Sequence, residues 1–316
     1  MKLIASIIVI ITLYIDWSLA HGSTARIQEI FIGRCSEYQA VNKLQRQVDC
    51  IHVWNQFSRV FAFKEPCAVN ASEYDNFIKE VSVPISRDAS VFWSGTYSFA
   101  HLYIRAVKNL ETLENTFPGY LVNGLSWCGQ LALPGINYND CHDPQHCNNK
   151  NSGIFWSKMS TWFAQSSSGT VRVLLNSSRI PAFAPYSFFA RYELPNLSPS
   201  KVNKIEIIMV HDLDMKVNQS ERCGAGSIKT LQDLIQQRNF AWSCSDNPSS
   251  VQDILCAANP THFQCQSIHG VLRVVTLTGL GAAGAVILIL LIVIILMSRT
   301  RSKTQTKARE ATKTDF

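Results

Sequence analysis

All ten cysteines of this 316-residue chain lie between Cys35 and Cys265, in a segment that two apolar runs flank. Disulfides form in oxidising compartments, and an even number of cysteines is typical of a bridged extracellular domain. The segment spans about 250 residues, which is enough chain to build a hydrophobic core. We therefore predict an extracellular domain whose bridges reinforce a core rather than replace one.

The first apolar run has the features of a signal peptide. Lys2 precedes apolar residues 3–15, and the segment Ser18-Leu19-Ala20 follows, which is a pattern that signal peptidase cleaves. Cleavage after Ala20 would leave residues 1–20 as the signal peptide and His21 as the first mature residue. The alternative is an uncleaved anchor with both termini in the cytosol, which the shortness of the run disfavours.

The second apolar run predicts a transmembrane helix at residues 274–297. Its 24 residues contain no charge, and a helix of that length reaches about 36 Å, enough to cross a bilayer. Residues 298–316 contain six basic and two acidic side chains, which predicts a cytoplasmic tail. We expect a single-pass type I protein of the plasma membrane. A GPI anchor is the disfavoured alternative, because its signal would end in the apolar segment.

The charge distribution argues against nucleic acid as a partner. The formal net charge is +6, but the basic tail supplies most of it. The extracellular segment is therefore close to neutral and lacks the basic surface that phosphate-backbone binding needs. No Cys-x-x-Cys pair, His-Glu-x-x-His motif or histidine-rich cluster is present in the sequence, so no metal site is predicted.

Sequons of the Asn-x-Ser type predict N-linked glycosylation, in agreement with passage through the secretory pathway. A glycan needs an accessible side-chain amide, so we expect each acceptor at the surface. The four acceptors are Asn70, Asn176, Asn196 and Asn218.

Hydrophobic periodicity divides the extracellular segment into two parts. Apolar residues recur at three- and four-residue spacing over residues 97–117, which predicts an amphipathic helix in a helical N-terminal half. Later, the β-branched runs 171–175 and 205–210, the helical pattern of 228–235 and apolar residues 240–242 follow one another. Strand, helix and strand in this order predict a small parallel sheet in the C-terminal half.

Several short motifs occur in the order seen in the ADP-ribosyl cyclase family of NAD glycohydrolases, which the chain resembles over nearly the whole extracellular segment. They include Phe92-Trp93-Ser94, Thr112-Leu113-Glu114-Asn115-Thr116, Gly119-Tyr120-Leu121, Leu125-Ser126-Trp127-Cys128, Phe155-Trp156, and Tyr192-Glu193-Leu194-Pro195-Asn196-Leu197. Further segments resemble the bone-marrow stromal antigen type within the family: Ile30-Phe31-Ile32-Gly33-Arg34-Cys35, Phe188-Phe189-Ala190 and Cys223-Gly224-Ala225-Gly226-Ser227.

The resemblance implies an α+β architecture. It comprises a mainly helical domain at residues 21–167, a smaller α/β domain at 168–268 with a short parallel sheet, and a substrate cleft between them. A segment around residues 87–111 is a candidate to pack with the C-terminal domain. The resemblance also implies a homodimer, and NAD as substrate rather than cofactor. It further implies five disulfides: Cys35 with Cys50, Cys67 with Cys147, Cys128 with Cys141, Cys223 with Cys244, and Cys256 with Cys265.

The chemistry of the family requires a carboxylate beneath the sugar. Cleavage of the nicotinamide–ribose bond builds positive charge at the anomeric carbon, and a fixed negative charge stabilises that transition state. Nicotinamide is already positively charged before it leaves, so no general acid is needed. The resemblance assigns this role to Glu193. It matches Glu114 to an acidic residue that influences whether the intermediate is hydrolysed or cyclised.

Flat nicotinamide and adenine rings bind by stacking, so aromatic walls are the second requirement. By motif position, Trp93 and Trp156 match the site tryptophans of the family, and Ser94 and Ser160 match positions near the phosphates and ribose. Phe188 and Phe189 are predicted to contact substrate, with Phe188 close to Glu193. The tryptophans predicted to lie in the core are Trp54, Trp127, Trp162 and Trp242.

The chain departs from the leukocyte ectoenzyme of the family at three positions. It has Asn115 and Asn123 where that relative is acidic, and Gly95 where the relative has an arginine. Loss of this arginine is expected to weaken phosphate contacts and to raise the Michaelis constant. Two functions therefore remain open: an NAD glycohydrolase and cyclase, or an adhesion and signalling receptor of the same fold with weak or no catalysis.

Overall fold

The computed structural model describes residues 22–141, 151–213 and 220–266. The predicted signal peptide, membrane span and tail lie outside these ranges. Within them, no helix is long and apolar enough to cross a membrane. The described residues up to Leu255 belong to one compact unit, and residues 256–266 belong to a second. The predicted domain boundary between residues 167 and 168 stays a prediction.

The described residues form a helix-rich α+β fold. The α-helices are α1 Ile27–Asn42, α2 Cys50–Ser58, α3 Asp75–Val81, α4 Tyr97–Ala106, α5 Phe117–Val122, α6 Asn151–Ser166, α7 Gly226–Gln237 and α8 Ser249–Ala258. The strands are β1 Val91–Ser94, β2 Gly169–Asn176, β3 Val202–Val210 and β4 Ala241–Asp246. They pair in parallel in the order β1-β2-β3-β4.

The predicted parallel sheet is confirmed, and it has one strand more than the sequence suggested. The runs 171–175 and 205–210 lie within β2 and β3, and β4 follows α7. The added strand, β1, comes from the helical N-terminal half and pairs along β2, with Trp93 opposite Leu174. Its four residues are too few to show a strand period of their own.

Alternate residues of the central strands pack into two apolar layers, as the pleat of a strand requires. Val171, Val173 and Leu175 of β2 lie in the larger core, with most of the helices. Leu174 lies in a smaller core against α4 and α8. Because both faces of the sheet are covered, the ends of the strands are the places where it can form a site.

The predicted helix over residues 97–117 is wrong beyond Ala106, where α4 ends. Val107 has φ -106° and ψ 107°, an extended conformation that ends the helical path, and Asn109 then takes a left-handed conformation with φ +65°, which asparagine tolerates better than most residues. The chain then runs beside the sheet, where the Glu111 backbone N–H donates to the Ala89 carbonyl at 3.0 Å and the Val91 N–H donates to the Glu111 carbonyl at 2.9 Å.

Four of the five predicted disulfides form as paired: Cys35–Cys50, Cys128–Cys141, Cys223–Cys244 and Cys256–Cys265. The fifth prediction involves Cys147, which lies outside the described residues.

Trp54 and Trp127 are buried in the core as predicted, and Trp162 is partly buried against it. The prediction for Trp242 is wrong: its side chain is 38% exposed, because β4 is an edge strand with largely uncovered residues.

The glycosylation acceptors differ in exposure. Asn70 is exposed and Asn196 is half-buried, whereas Asn218 lies outside the described residues. The expectation of a surface position is wrong for Asn176, which is 7% exposed. Its Nδ2 donates to the Gly95 carbonyl at 3.0 Å and to Asp212 Oδ2 at 2.9 Å, so the atom that would bear a glycan is used inside the fold.

Candidate active site

A cavity of about 570 Å³ opens at the carboxyl end of β1 and contains most of the predicted site residues. We call it the cleft. Its walls come from the end of β1, the short 3₁₀ turn Leu113–Asn115, the helix α6 and the loop segment 179–193. Ligands of parallel sheets bind at the carboxyl ends of the strands, and the volume suits a small molecule.

Glu193 lies in the cleft at the end of a single π-helical turn, Phe189–Glu193. Such turns are rare and often occur at functional sites. Its side chain is 7% exposed, and Ser160 Oγ donates a hydrogen bond of 2.8 Å to Glu193 Oε1. Burial raises the pKa of Glu193 to about 8, which the Ser160 hydrogen bond opposes and the negative charge of Glu114 reinforces.

Helix α6 presents two of the predicted residues on one face. Trp156 and Ser160 are four residues apart, the spacing that places side chains next to each other on a helix, and both line the cleft. Ser160 is 2% exposed, so its hydroxyl has little access to water and is committed to Glu193. The same helix thus supplies an aromatic wall and the hydrogen-bond donor of the carboxylate.

Glu114 and Trp93 form the other side of the cleft. Glu114 is buried in the 3₁₀ turn Leu113–Asn115, and Trp93 Nε1 donates to Glu114 Oε2 at 3.3 Å. The Trp93 ring also contacts Tyr97 edge to face, with 5.4 Å between ring centroids. These contacts fix the indole and orient the carboxylate, and they bring Glu114 close enough to Glu193 for its charge to act on the Glu193 pKa.

The structure separates the two predicted phenylalanines. Phe188 lines the cleft and is 43% exposed at its mouth, beside Tyr192. The prediction for Phe189 is wrong, because its side chain has no exposed surface and packs against Phe92 and Phe183 in the core. Adjacent residues of a helical turn point in different directions, and only the first of this pair points to the cleft.

Ser94 lines the cleft, and its predicted position near the phosphates and ribose stays a prediction. Asn123 is part of the wall. Asn115 is exposed and accepts a hydrogen bond of 2.8 Å from Thr112 Oγ1. It lines a second cavity, of about 710 Å³, which contains none of the predicted site residues. The larger cavity is therefore not where the predicted chemistry converges.

The cleft also contains residues that the sequence did not single out as site residues, among them Tyr97, Arg179 and Tyr186. The signal for Arg179 was available, since it comes four residues after the predicted strand run 171–175 and therefore lies at the ligand-binding edge of a parallel sheet. Tyr97 and Tyr186 are about half or more exposed, and exposed tyrosines have no sequence pattern that distinguishes a cleft rim from ordinary surface.

The arrangement combines a desolvated carboxylate, a second carboxylate and flat aromatic walls. A carboxylate with a raised pKa at the bottom of a concave site is a recognised mark of catalysis. A positive charge beside the ionised carboxylate would stabilise it strongly, because little water screens the interaction in the cleft. The cleft is suited to a ligand with flat rings and a cationic centre.

Comparison with known proteins identifies the family of the chain. Residues 24–265 match the family model for ADP-ribosyl cyclase. The chain is 37% identical over 249 residues to the ADP-ribosyl cyclase/cyclic ADP-ribose hydrolase of Aplysia kurodai, covering 77% of this chain and 87% of the relative. It is 33% identical over 246 residues to ADP-ribosyl cyclase/cyclic ADP-ribose hydrolase 2 of Homo sapiens, covering 77% and 76%.

Two solved structures share the fold. Aplysia cyclase complexed with substrate NGD and product cGDPR superimposes with a TM-score of 0.71 at 37% identity, over 77% of this chain and 98% of that chain. Porcine CD38 complexed with a covalent intermediate, ribo-F-ribose-5'-phosphate, gives a TM-score of 0.68 at 35% identity, over 72% and 98%. The chain belongs to the ADP-ribosyl cyclase family.

Proposed function

We propose that this protein cleaves the nicotinamide–ribose bond of NAD and releases nicotinamide with ADP-ribose, cyclic ADP-ribose or both. The observation that supports this most directly is the buried Glu193 carboxylate, held by Ser160 between the aromatic walls of the cleft. The structures of relatives with NGD, cGDPR and a covalent intermediate agree with the same substrate class.

Glu193 would stabilise the positive charge that develops on the ribose. As the bond from the anomeric carbon to nitrogen breaks, its electron pair leaves with nicotinamide, which becomes neutral, and the ribose carbon becomes cationic. The Glu193 carboxylate lies in a site with little water, where a negative charge lowers the energy of that cation most. Bound NAD also carries a positive nicotinamide ring, which favours the ionised form of Glu193 and offsets the effect of burial on its pKa.

Two nucleophiles can then complete the reaction. Attack by water forms a carbon–oxygen bond, loses a proton and gives ADP-ribose. Attack by a ring nitrogen of the adenine of the same molecule gives the cyclic product. Phe188 lies at the mouth of the cleft, where an aromatic ring excludes water and offers a surface for adenine. We therefore expect cyclic product as a measurable share of turnover.

The decisive experiment measures NAD consumption by the purified full chain in detergent, with products separated by chromatography. Glu193→Gln should reduce turnover by about a hundredfold or more, since it removes the charge on which the transition state depends. Glu29→Gln is the control, because Glu29 is an exposed carboxylate of α1 outside the cleft. A folded wild type without NAD turnover would contradict the proposal and favour the receptor alternative.

The cyclisation step has its own test. Phe188→Ala should lower the ratio of cyclic to linear product while Glu193 remains in place, and Tyr138→Ala changes an exposed aromatic residue outside the cleft for comparison. If only ADP-ribose forms, or if the ratio is the same in Phe188→Ala, the proposed role of Phe188 fails.

We also propose that the enzyme is a single-pass type I protein of the plasma membrane, resembling the bone-marrow stromal antigen type. Sequence features support this: the segment before Ala20, the uncharged residues 274–297 and the basic tail. Truncation after Gly270 should release NAD-cleaving protein into the medium, whereas the full chain should be labelled at the cell surface by a membrane-impermeant biotin reagent. Retention of the truncated chain on cells would contradict the anchor at residues 274–297.

A further inference from the structure

Gly95 and Arg179 come together at the carboxyl ends of two neighbouring strands. Gly95 directly follows β1, and Arg179 follows β2 by three residues. Asn176 connects the two loops: its Nδ2 donates to the Gly95 carbonyl at 3.0 Å, and its own carbonyl accepts from the Arg179 backbone N–H at 3.3 Å. The Arg179 side chain therefore starts from a fixed position and extends over Gly95.

The two residues approach so closely that a side chain at position 95 would meet the side chain of Arg179. A Cβ there would lie 2.4 Å from Arg179 Nη1 and 2.6 Å from Arg179 Cδ, well inside van der Waals contact. Gly95 also has φ +72°, a conformation that glycine adopts without strain. A side chain at position 95 would therefore require the Arg179 side chain to shift from this position.

Arg179 also brings a positive charge to the cleft. Among the residues that the structure describes, no other lysine or arginine lines it. The guanidinium forms no ion pair or hydrogen bond with any described side chain or carbonyl, although Glu114 and Glu193 line the same cavity. Its five donors are thus available to a ligand, and their fork geometry matches two phosphate oxygens.

We propose that Arg179 binds the pyrophosphate of the dinucleotide substrate, and that Gly95 is the residue that keeps its guanidinium in place. This inference rests on the proposed function, since it assigns the anionic part of NAD to the cation and the cationic nicotinamide to the carboxylates. It revises the expectation drawn from Gly95 in the sequence. The positive charge is not lost from the cleft but comes from the loop after β2.

The test separates pyrophosphate binding from the chemical step. In Arg179→Gln we expect the KM for NAD and the Ki of ADP-ribose as product inhibitor to rise about tenfold or more, because the variant loses charge-assisted hydrogen bonds to the pyrophosphate. The Ki of nicotinamide, which has no phosphate, should stay within twofold of the wild type, and kcat should change little. Arg179→Lys should recover part of the loss, since a lysine keeps the charge but not the fork geometry.

Arg59→Gln is the charge-matched control, since Arg59 is exposed on the surface outside the cleft.

A second variant tests whether the position of the Arg179 guanidinium depends on Gly95. Gly95→Ala should raise the KM for NAD in the wild-type background but add little in the Arg179→Gln background, because both changes remove the same contact. Thermal unfolding of each variant confirms that the comparison is between folded proteins.

The outcomes separate this inference from the proposed function. Titration calorimetry with ADP-ribose measures binding without turnover. A wild type that binds ADP-ribose through Arg179 but does not consume NAD would overturn the proposed function and keep the inference. An active wild type whose KM for NAD and affinity for ADP-ribose are unchanged by Arg179→Gln would overturn the inference alone. Equal effects of Gly95→Ala in both backgrounds would overturn the role of Gly95.

Discussion

Ser160 Oγ lies 2.8 Å from Glu193 Oε1 and donates a hydrogen bond to a carboxylate that is only 7% exposed. Burial raises the pKa of Glu193 to about 8, and this hydrogen bond works in the opposite direction. A hydrogen bond to the charged form of a carboxyl lowers its pKa. The hydroxyl of Ser160 therefore increases the fraction of Glu193 that is ionised near neutral pH.

Ser160→Ala should move the pH dependence of NAD cleavage to higher pH. Without the donor, the pKa of Glu193 in the free enzyme rises, and kcat/KM, which reports the free enzyme, falls at neutral pH. One hydrogen bond to a charged group corresponds to a shift of about one pKa unit. Thr161→Ala is the control, because that hydroxyl binds the Ser157 carbonyl outside the cleft. An ascending limb at the wild-type pH would show that the hydrogen bond does not tune Glu193.

Glu114→Gln should shift the same profile in the opposite direction. The negative charge of Glu114 raises the pKa of Glu193, so its removal should move the ascending limb of kcat/KM to lower pH. Glutamine retains a carbonyl oxygen that can accept from Trp93 Nε1, which keeps the indole in place. A shift to higher pH in this variant would mean that lost packing outweighs the electrostatic effect.

Glu193→Gln should stabilise the fold at alkaline pH. The pKa of Glu193 is raised in the folded protein, so the penalty for burying its charge is absent below the unfolded value near 4.5, grows as the pH rises, and is complete above about 8. The variant lacks this penalty, which is on the order of a few kcal/mol since one pKa unit corresponds to about 1.4 kcal/mol.

Thermal unfolding of the wild type and Glu193→Gln at pH 4, 6 and 8.5 checks this prediction. The difference in Tm should widen from pH 4 to pH 8.5, whereas the exposed Glu29→Gln should follow the wild type at each pH. A constant difference across the series would contradict it. Stabilisation of the protein by loss of its central carboxylate would show that the site is maintained at a cost to folding.

The elements with a clear period could be predicted from the sequence. Strands β2 and β3 follow from β-branched runs, and α7 from an apolar stripe. Strand β1 could not be predicted in this way, because its four residues form a strand through pairing with β2 and have no hydrophobic period of their own. Likewise, α4 ends where Val107 takes an extended conformation, a local event within an otherwise regular apolar stripe.

The site residues were predicted from their positions in the family motifs, and hydrophobic periodicity gave no information about them. Glu193, Glu114, Trp93, Trp156 and Ser160 meet in one cleft, which no spacing in the sequence could show. The motifs did not show which of two neighbouring residues faces the cleft: Phe188 lines it, whereas Phe189 lies in the core. The predicted homodimer stays a prediction.

The two tryptophans that the sequence grouped together should differ sharply in their effect on stability. Trp127 is 3% exposed, packs edge to face on Phe57 and Phe155, and donates from Nε1 to Tyr74 Oη at 3.1 Å. Trp127→Ala should therefore cost about 3–5 kcal/mol, the range for truncating a large core aromatic residue. Trp242→Ala, at 38% exposure on the edge strand β4, should cost about 1 kcal/mol or less. Urea unfolding of both variants, with the disulfides intact, measures the difference, and similar losses of stability in the two would contradict this prediction.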